Sequence, residues 1–405
     1  MTKTFEINLF SSKRDLSLFL FICLLVLSFN IFQKHQVYTD LKQYKSQKIQ
    51  ATVINQYLKT KNNKTYTVFK LRSSDGYEFY TTSYKKLEDL NGYQITIKIL
   101  TKNIAFIDLF KGFYTYSYDI QIYEKSSLNQ TLSKKITSQH EEQFTKELFN
   151  ALFLAKPISK DLRAKVSNYG ISHLIAISGF HLGVLFGIFY FILSYPYTFF
   201  QDRYFPYRNK RFDLSIIVMA ILFLYLYFLG FIPSLVRSYV IMVLLFILYN
   251  RFVKILSFEV LFVTVILIIS FIPNFIFSIG FWFSVSGVFY IYLFLIYFKH
   301  LKPWKLAIFL NLWVFVMMIP IVHLFFDKIT WLQLLSPPLS IAFIVFYPLE
   351  LFLHMIGYGG VLDSIVLALL EQNPMIYHVE TPIWFFLLFV IGSLYFAWKS
   401  IARSR

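Results

Sequence analysis

Two histidines and a serine stand close together in one apolar segment, which reads Gly170-Ile-Ser-His-Leu-Ile-Ala-Ile-Ser-Gly-Phe-His-Leu-Gly183. If residues 171–193 form one helix, then His173, Ser178 and His181 share one arc of its surface. Ionisable side chains inside a membrane usually face a cavity or the interior of a helix bundle. The pattern therefore predicts a wet path beside these three residues. Two histidines bonded to backbone carbonyls near a helix end are the alternative interpretation.

Small residues mark the surfaces along which neighbouring helices would pack. Small side chains spaced by four let two helices approach closely. The glycines assigned to such packing are Gly179, Gly183, Gly187, Gly280 and Gly287. Ser284 stands in the same small-residue strip as the last two and is a further candidate for lining the wet path.

Arg237 lies just inside an apolar run that follows Pro233-Ser234. A guanidinium is a permanent charge with a planar fork of donors that matches a phosphate. We therefore take Arg237 as a candidate phosphate contact, with the Ser234 hydroxyl as a second donor beside it. An arginine that extends its charge to the membrane surface is the alternative.

Ser178 and His181 also allow a hydrolase interpretation, because they are three residues apart. A serine nucleophile needs a base within hydrogen-bond reach and an oxyanion hole of aimed donors. The sequence indicates neither, so an intramembrane hydrolase stays an alternative, and we predict no catalytic residue.

Transmembrane helices must position these residues. Only 15% of the 405 residues are charged and 57% are apolar, whereas soluble domains are about 25% charged. Residues 171–193, 214–233, 275–298 and 306–326 contain no Lys, Arg, Asp or Glu, and about 20 apolar residues suffice to cross a bilayer as helix. The sequence predicts a polytopic α-helical membrane protein with about eight to ten transmembrane helices and a small extracytoplasmic, OB-like β-barrel domain.

Basic residues predict the orientation of these helices. Residues 1–32 form a basic tail and an apolar anchor without a small-residue cleavage site after it, which favours a retained anchor. Lys and Arg cluster in loops between the later apolar runs and after the last one, and such residues favour the cytoplasmic side. We expect a multi-pass protein of the inner (cytoplasmic) membrane with both termini in the cytoplasm.

Residues 33–140 predict the extracytoplasmic domain. Ile95, Ile97 and Ile99 alternate with polar residues, a period of two that is typical of a strand. Tyrosines interleaved with lysines could stack bases and follow phosphates of a single strand. The DNA-binding candidates are Tyr57, Lys59, Lys61, Lys64, Tyr80, Lys85 and Lys86.

Two further segments complete the chain. Residues 141–170 predict an amphipathic helix at the membrane interface followed by a linker. Residues 171–405 predict the helical bundle, in which residues 329–370 are interrupted by Pro337, Pro338 and Pro348. Such a run either spans the membrane or forms a broken, re-entrant pair, and the absence of a basic loop favours the second.

Charge and cysteine content limit the ligands. The net charge of +17 suits an anionic partner such as lipid headgroups or nucleic acid. Cys23 is the single cysteine, so an intramolecular disulfide and a thiolate metal site are excluded. We predict no cofactor and no metal.

In combination, these segments resemble the ComEC competence family, the inner-membrane channels that import DNA during natural transformation. Residues 170–183 are similar to the family's signature almost letter for letter. Residues 233–242 resemble its Arg-bearing segment, 278–284 its Gly-Phe-x-x-Ser stretch and 329–351 its proline-broken segment. The resemblance implies passage of one DNA strand into the cytoplasm. It also implies partners: single-stranded DNA, membrane lipids, an outer DNA receptor, and a cytoplasmic ATPase or DNA-processing protein.

One departure concerns the family's nuclease domain. Long members carry a metallo-β-lactamase-like domain with a His-x-His-x-Asp-His signature, and this sequence contains no His-x-His. We therefore expect a short form that is not an enzyme, with a separate nuclease for the other strand. A solute transporter with a docking domain is the alternative function, which inverted repeats would favour.

Overall fold

The computed structural model describes residues 10, 12–61, 64–84, 90–123, 128–250 and 258–404. The chain divides into two compact units. The first, here the sheet unit, comprises residues 10–132 and 265–281; the second, here the bundle unit, includes residues 133–264 and 282–404. Each unit is described separately.

The sheet unit begins with helix α1, Lys13–Lys42. Ser12 caps it: its Oγ accepts from the amide of Asp15 at 3.2 Å, and the Asp15 carboxylate accepts from the amide of Ser12 at 3.0 Å. The helix extends beyond the predicted end of the anchor at residue 32. The last turns of α1 pack against the sheet, because Leu41 is buried in its core.

Six strands form the sheet in the order β5-β3-β2-β1-β4-β6. Neighbours pair antiparallel except β3 with β5, which are parallel. Ile95, Ile97 and Ile99 point into the core, as the period of two predicts, and each is at most 1% exposed. The strands are β1 Ser46–Lys61, β2 Lys64–Ser73, β3 Glu78–Ser83, β4 Gln94–Leu100, β5 Phe113–Tyr114 and β6 Ser117–Tyr123.

The sheet is not closed by strand pairing. Strands β5 and β6 form its two edges in the described residues, so the predicted barrel is not confirmed. A side-chain bond from Thr81 Oγ1 to Ser117 Oγ, 2.6 Å long, links β3 to the start of β6. A short helix, α2 Asp108–Lys111, precedes β5.

A distant segment of the chain completes the sheet unit. The Asn30 side chain on α1 donates to the carbonyl of Ser270 at 2.8 Å. The ring of Phe277 lies 6.5 Å from that of Phe110 on α2 and 5.1 Å from the Lys111 ammonium. Residues 265–281 therefore pack with α1 and α2.

Helices make up the bundle unit, with one small pairing of β7 Lys328–Ile329 and β8 Tyr377–His378. Helices α3 and α11 begin in the sheet unit, and α10 ends in it. The remaining helices in chain order are α3 Leu128–Thr137, α4 Gln143–Leu154, α5 Lys160–Asn168, α6 Ser172–Ile175, α7 Gly179–Tyr204, α8 Lys210–Phe228, α9 Pro233–Asn250, α10 Phe258–Phe271, α11 Ile279–Phe298, α12 Pro303–Val322, α13 Ser336–Ile356, α14 Asp363–Leu370 and α15 Ile383–Ser404.

Six helical segments are long and apolar enough to cross a membrane. Four further apolar helices in the described residues are shorter, between 10 and 17 residues. The multi-pass character is thus supported, whereas the predicted eight to ten spans exceed the six of sufficient length. The six are Lys13–Lys42, Gly179–Tyr204, Lys210–Phe228, Ile279–Phe298, Pro303–Val322 and Trp331–Ile356.

One prediction about the bundle unit needs correction. The prolines do not break residues 336–356, because Pro337 and Pro338 lie in the first turn of α13, where no amide donor is needed, and the helix continues through Pro348. A continuous helix of this length fits the spanning alternative rather than a re-entrant pair. Helix α4 is amphipathic as predicted, and its apolar face packs inside the protein core, where Phe149 and Leu152 are at most 1% exposed. Its place at a membrane interface stays a prediction.

Candidate functional site along helix α13

The segment with the paired histidines forms two helices rather than the single predicted one. Helix α6 ends at Ile175, Ala176 is extended, and α7 begins after Ser178. The amide of Ser178 donates to Nδ1 of His181 at 3.1 Å, and the Ser178 hydroxyl lies 3.3 Å from the same nitrogen. His181 thus satisfies a free amide at the start of α7, which favours a new helix start at this point.

His181 does not face water in this structure, contrary to the prediction. Its side chain is 0% exposed. Its ring meets that of Tyr347 edge-on at 4.6 Å and that of Phe343 at 5.6 Å, both on α13. Because Nδ1 accepts an amide proton, the proton of a neutral ring is on Nε2, which makes no well-formed hydrogen bond in the described residues.

His173, in contrast, is exposed and lies near the start of α13. Its Nδ1 is 3.1 Å from the carbonyl oxygen of Gly170, as the backbone-carbonyl interpretation predicted, and its Nε2 is 3.5 Å from Ser340 Oγ. Gly170 has a φ of +66°, a conformation that favours glycine, and its carbonyl also accepts from Ser336 at 3.3 Å. The turn before α6 is thereby fixed against α13.

One face of α13 therefore meets both histidines of the motif. Buried residues occur on this helix at spacings of seven, four, three and four, which is the repeat of a single helix face. We name this surface the α13 face; its buried members are Ser336, Phe343, Tyr347, Glu350 and His354.

The far end of the α13 face carries ionisable groups that the sequence analysis did not select. Glu350 is 0% exposed, and neither of its carboxylate oxygens makes a well-formed hydrogen bond. Nδ1 of His354 lies 2.7 Å from the Glu350 carbonyl oxygen and 3.2 Å from Oε2. Nε2 of His354 lies 2.9 Å from Nε2 of His140, whose Nδ1 lies 2.9 Å from both carboxylate oxygens of Asp363.

The surroundings of His140 are apolar apart from these partners. The ring of Phe149 stacks on it at 4.6 Å and an interplanar angle of 7°. Burial lowers the pKa of His140, and the neighbouring His354 acts in the same direction, whereas Asp363 and Glu350 oppose the shift. A spacing of four within an apolar helix could have indicated Glu350 and His354, but no local pattern marks His140.

The other channel-lining candidates are placed as follows. Arg237 is on α9 and is 9% exposed, so its charge lies inside the protein. Ser284 is half-buried on α11 and makes no described hydrogen bond to the motif. The side chain of Ser234 lies outside the described residues.

The five packing glycines differ in their surroundings. A Cβ on Gly179 would lie 3.3 Å from Ser238 Oγ on α9, a close approach between two helices. A Cβ on Gly280 would have Ser278 Oγ at 3.9 Å as its nearest neighbour. Cβ atoms on Gly183, Gly187 and Gly287 would meet no atom within 4 Å.

Three of the DNA-binding candidates share one face of the sheet. Tyr57 and Lys59 on β1 lie on the sheet face opposite the core cluster, since their partners Val68 and Tyr66 alternate with the core residue Phe69; Val68 on that face is itself only 6% exposed. Tyr80 pairs with Lys70 on the same face and is 36% exposed. Lys61 and Lys64 continue strands β1 and β2, but their side chains lie outside the described residues, as do Lys85 and Lys86 entirely.

Comparison with known proteins gives one match. The family model described as Competence protein matches residues 155–402, more than half of the chain. No curated protein and no solved structure matches this chain. The matched range contains the motif, Arg237 and the whole of α13, but it does not contain His140.

Proposed function

Because the chain belongs to the competence protein family, we propose that it is a membrane channel that passes single-stranded DNA from the outside or periplasm to the cytoplasm during natural transformation. The family match is the observation that carries this proposal. The six membrane-length helices support a competence-related membrane protein. We further propose that it is a multi-pass protein of the inner membrane with both termini in the cytoplasm.

The sheet unit supports a role in receiving the strand. Tyr57, Lys59 and Tyr80 lie on one outward face, and aromatic rings beside ammonium groups can stack bases and neutralise phosphates. We propose that this face, in an OB-like domain, accepts DNA from a receptor outside the membrane.

The α13 face is the proposed boundary of the conduit. Its start is accessible at His173, but Phe343 and Tyr347 close on His181 further along. We propose that this packing is a closed state of the conduit. Passage of a polyanion along this route requires α7 and α13 to separate, which would expose His181 to the strand.

The remaining partners are also proposals. We expect an ATPase or DNA-processing protein on the cytoplasmic side and a separate nuclease for the strand that does not enter. The hydrolase alternative gains no support from the geometry: Nδ1 of His181 already accepts the amide of Ser178, and the ring is 0% exposed.

A deletion strain tests the function. DNA labelled on one strand is supplied, and its arrival is measured separately in the periplasm and in the cytoplasm. We expect normal arrival in the periplasm and none in the cytoplasm. Normal arrival in the cytoplasm of the deletion strain contradicts the proposal.

Variants in the same assay test the site. We expect loss of cytoplasmic DNA in Arg237→Gln and His181→Asn cells whose membranes contain the protein at the normal amount. Arg203→Gln, which alters an arginine at the end of α7, is the matched control and should import DNA normally. Normal import by both site variants contradicts the placement of the conduit but not the function itself.

A further inference from the structure

Four ionisable groups form a continuous chain of close contacts inside the bundle unit. The Asp363 carboxylate lies 2.9 Å from Nδ1 of His140, and Nε2 of His140 lies 2.9 Å from Nε2 of His354. Nδ1 of His354 then lies 2.7 Å from an oxygen of Glu350. The last contact is to the backbone carbonyl of Glu350, with its carboxylate 3.2 Å from the same nitrogen. Asp363, His354 and Glu350 are the ionisable groups that act on the pKa of His140.

The two imidazoles meet end to end. Their ring centroids are 5.0 Å apart, while the two Nε2 atoms between them are 2.9 Å apart. The nitrogens therefore point at each other along the line of the rings, as one N–H donor and one lone pair do.

A count of protons shows that this arrangement requires one more than the neutral imidazoles supply. Each of the three contacts needs one bridging proton: between His140 Nδ1 and Asp363, between the two Nε2 atoms, and between His354 Nδ1 and the Glu350 carbonyl. Two neutral imidazoles and an ionised Asp363 contain only two protons. Without the third proton, the two that remain are held on the Nδ1 atoms by the oxygens of Asp363 and Glu350, and the two Nε2 lone pairs face each other.

The surrounding residues fix this geometry. Phe149 and Phe153 of α4 cover the rings of His140 and His354 with aromatic carbon. The Gln139 side chain donates to the carbonyl of His354 at 3.3 Å and accepts from the amide of Gly359 at 2.8 Å. A Cβ on Gly359 would lie 2.6 Å from Nε2 of His354, so only glycine leaves room for the histidine pair.

The chain has one end near solvent. The side chain of Asp363 is 16% exposed, whereas those of His140 and Glu350 are 0% exposed and that of His354 is 5% exposed. A proton from water can thus reach Asp363 and pass by exchange of bridging protons to the histidine pair. The Glu350 carboxyl, whose oxygens have no well-formed hydrogen bond, lies at the closed end as a further acceptor.

The distances do not suit a metal. Two imidazole nitrogens bound to one tetrahedral zinc at about 2.0–2.1 Å are roughly 3.3 Å apart, more than the 2.9 Å between these two. Among the described residues, no group of three or more His, Cys, Asp or Glu is arranged to hold a metal ion.

We propose that Asp363, His140, His354 and Glu350 form a buried proton-binding site, which takes up one proton from water through Asp363 and shares it between the two imidazoles. Loading forms the third bridging hydrogen bond; release returns the proton through Asp363 to water. The loaded site ties α13 to α14 and to the segment between α3 and α4. Release removes one bond and weakens that connection.

Nitrogen NMR of the full chain, purified in lipid nanodiscs with ¹⁵N-labelled histidine, tests the proposal. We expect one pair of Nε2 signals coupled through an N–H···N bond at acidic pH, and loss of this coupling in one step as the pH is raised. His354→Gln should abolish the coupled pair. Asp363→Asn, a conservative change at the solvent end, should leave a folded protein in which the site loads at a lower pH.

His378→Gln is the matched control, because His378 is exposed and pairs with Asp327 outside the site. The coupled Nε2 signals of His140 and His354 in this variant should match those of the unaltered protein. Independent titration of His140 and His354 as two uncoupled imidazoles at every pH overturns the proposal. So does stoichiometric binding of Zn²⁺, added alone as zinc chloride, if His354→Gln abolishes that binding. Neither result depends on DNA import.

Discussion

Nε2 of His140 lies 2.9 Å from Nε2 of His354, although 214 residues separate the two in the chain. The family match begins at residue 155, so His140 lies before it and His354 lies within it. This contact attaches the segment that precedes the matched region to α13, the helix that also closes on the paired-histidine motif. A change at either end of α13 can therefore affect the contacts at its other end, because the helix itself is rigid.

Closure of α7 against α13 predicts that a covalent link between them blocks import. The rings of Phe180 and Phe343 are 5.8 Å apart, so cysteines at both positions, with Cys23→Ser, can be joined by a short bifunctional thiol reagent. We expect cytoplasmic DNA to disappear after cross-linking and to return when a cleavable linker is reduced. Each single-cysteine protein is the control. Undiminished import by the cross-linked protein would show that the strand takes another route.

The outward face of the sheet predicts a loss of strand binding in Tyr80→Ala. Each stacked base contributes about 1–3 kcal/mol, so we expect the dissociation constant for single-stranded DNA to rise by roughly tenfold. Fluorescence anisotropy with the purified full chain measures it. Tyr44→Ala is the control, because Tyr44 is 65% exposed but precedes β1 and is not on this face. Equal losses in both variants would contradict the assignment of the face.

The left-handed conformation of Gly170 predicts a cost for any side chain there. A Cβ at a φ of +66° is strained even though the space around it is ordinary, so Gly170→Ala should lower the free energy of unfolding by about 1 kcal/mol. Gly183→Ala, inside α7 with no atom within 4 Å of its Cβ, should raise it slightly. Thermal unfolding in detergent compares the two. The same sign for both changes would argue against the turn that fixes His173.

The close approach of α7 to α9 predicts that a larger side chain at the contact lowers stability. Gly179→Val must displace Ser238, since even a Cβ would lie 3.3 Å from its hydroxyl, and we expect destabilisation of about 1–3 kcal/mol. Gly187→Val, on the same helix in open space, should change the melting temperature little. A melting temperature of Gly179→Val equal to that of Gly187→Val would mean that the helices are not in contact there.

An ion-pair cluster on the sheet predicts a pH dependence of stability. Burial raises the pKa of Glu78, but the charges and hydrogen bonds of Lys70 and Arg72 outweigh it and hold the pKa below its usual value. The ammonium of Lys70 lies 2.6 Å from one carboxylate oxygen and the guanidinium of Arg72 2.8 Å from the other. An acid whose folded pKa is depressed stabilises the protein above its unfolded pKa and loses this contribution as the pH falls through the folded value.

Unfolding experiments between neutral and acidic pH measure this contribution. We expect Glu78→Gln to lower stability near neutral pH by about 1 kcal/mol, the scale of a partly screened pair, and to reduce the decline in acid. Asp119→Asn is the control, since Asp119 is 3.9 Å from Lys98 and more exposed. A steeper acid decline in Glu78→Gln than in the unaltered protein would reverse the sign and contradict the argument.

Sequence patterns predicted the features that depend on local composition. The apolar runs indicated membrane-length helices, and the alternation at Ile95, Ile97 and Ile99 indicated a buried strand. The break between α6 and α7 could not be predicted from periodicity, because apolar residues continue through it. It depends on the bond from the Ser178 amide to His181 and on the aromatic contacts that α13 supplies.

The proton site was missed for a similar reason. Glu350 and His354 share a helix face, but His140 and Asp363 come from two other segments whose approach is a result of tertiary packing. The amphipathic pattern of α4 does not show whether its apolar face meets lipid or protein. In this chain Phe149 of α4 stacks on His140.

The bond from Asn30 to Ser270 has a consequence for biosynthesis. The sheet can assemble as soon as β6 leaves the ribosome, but residues 265–281, which complete its unit, emerge only after α4 to α9 have been made. The sheet unit therefore stays incomplete during synthesis until several helices of the bundle unit have entered the bilayer. An excised fragment of residues 33–140 would lack both Asn30 and that late-arriving piece, so soluble expression of the isolated domain would yield an incomplete unit.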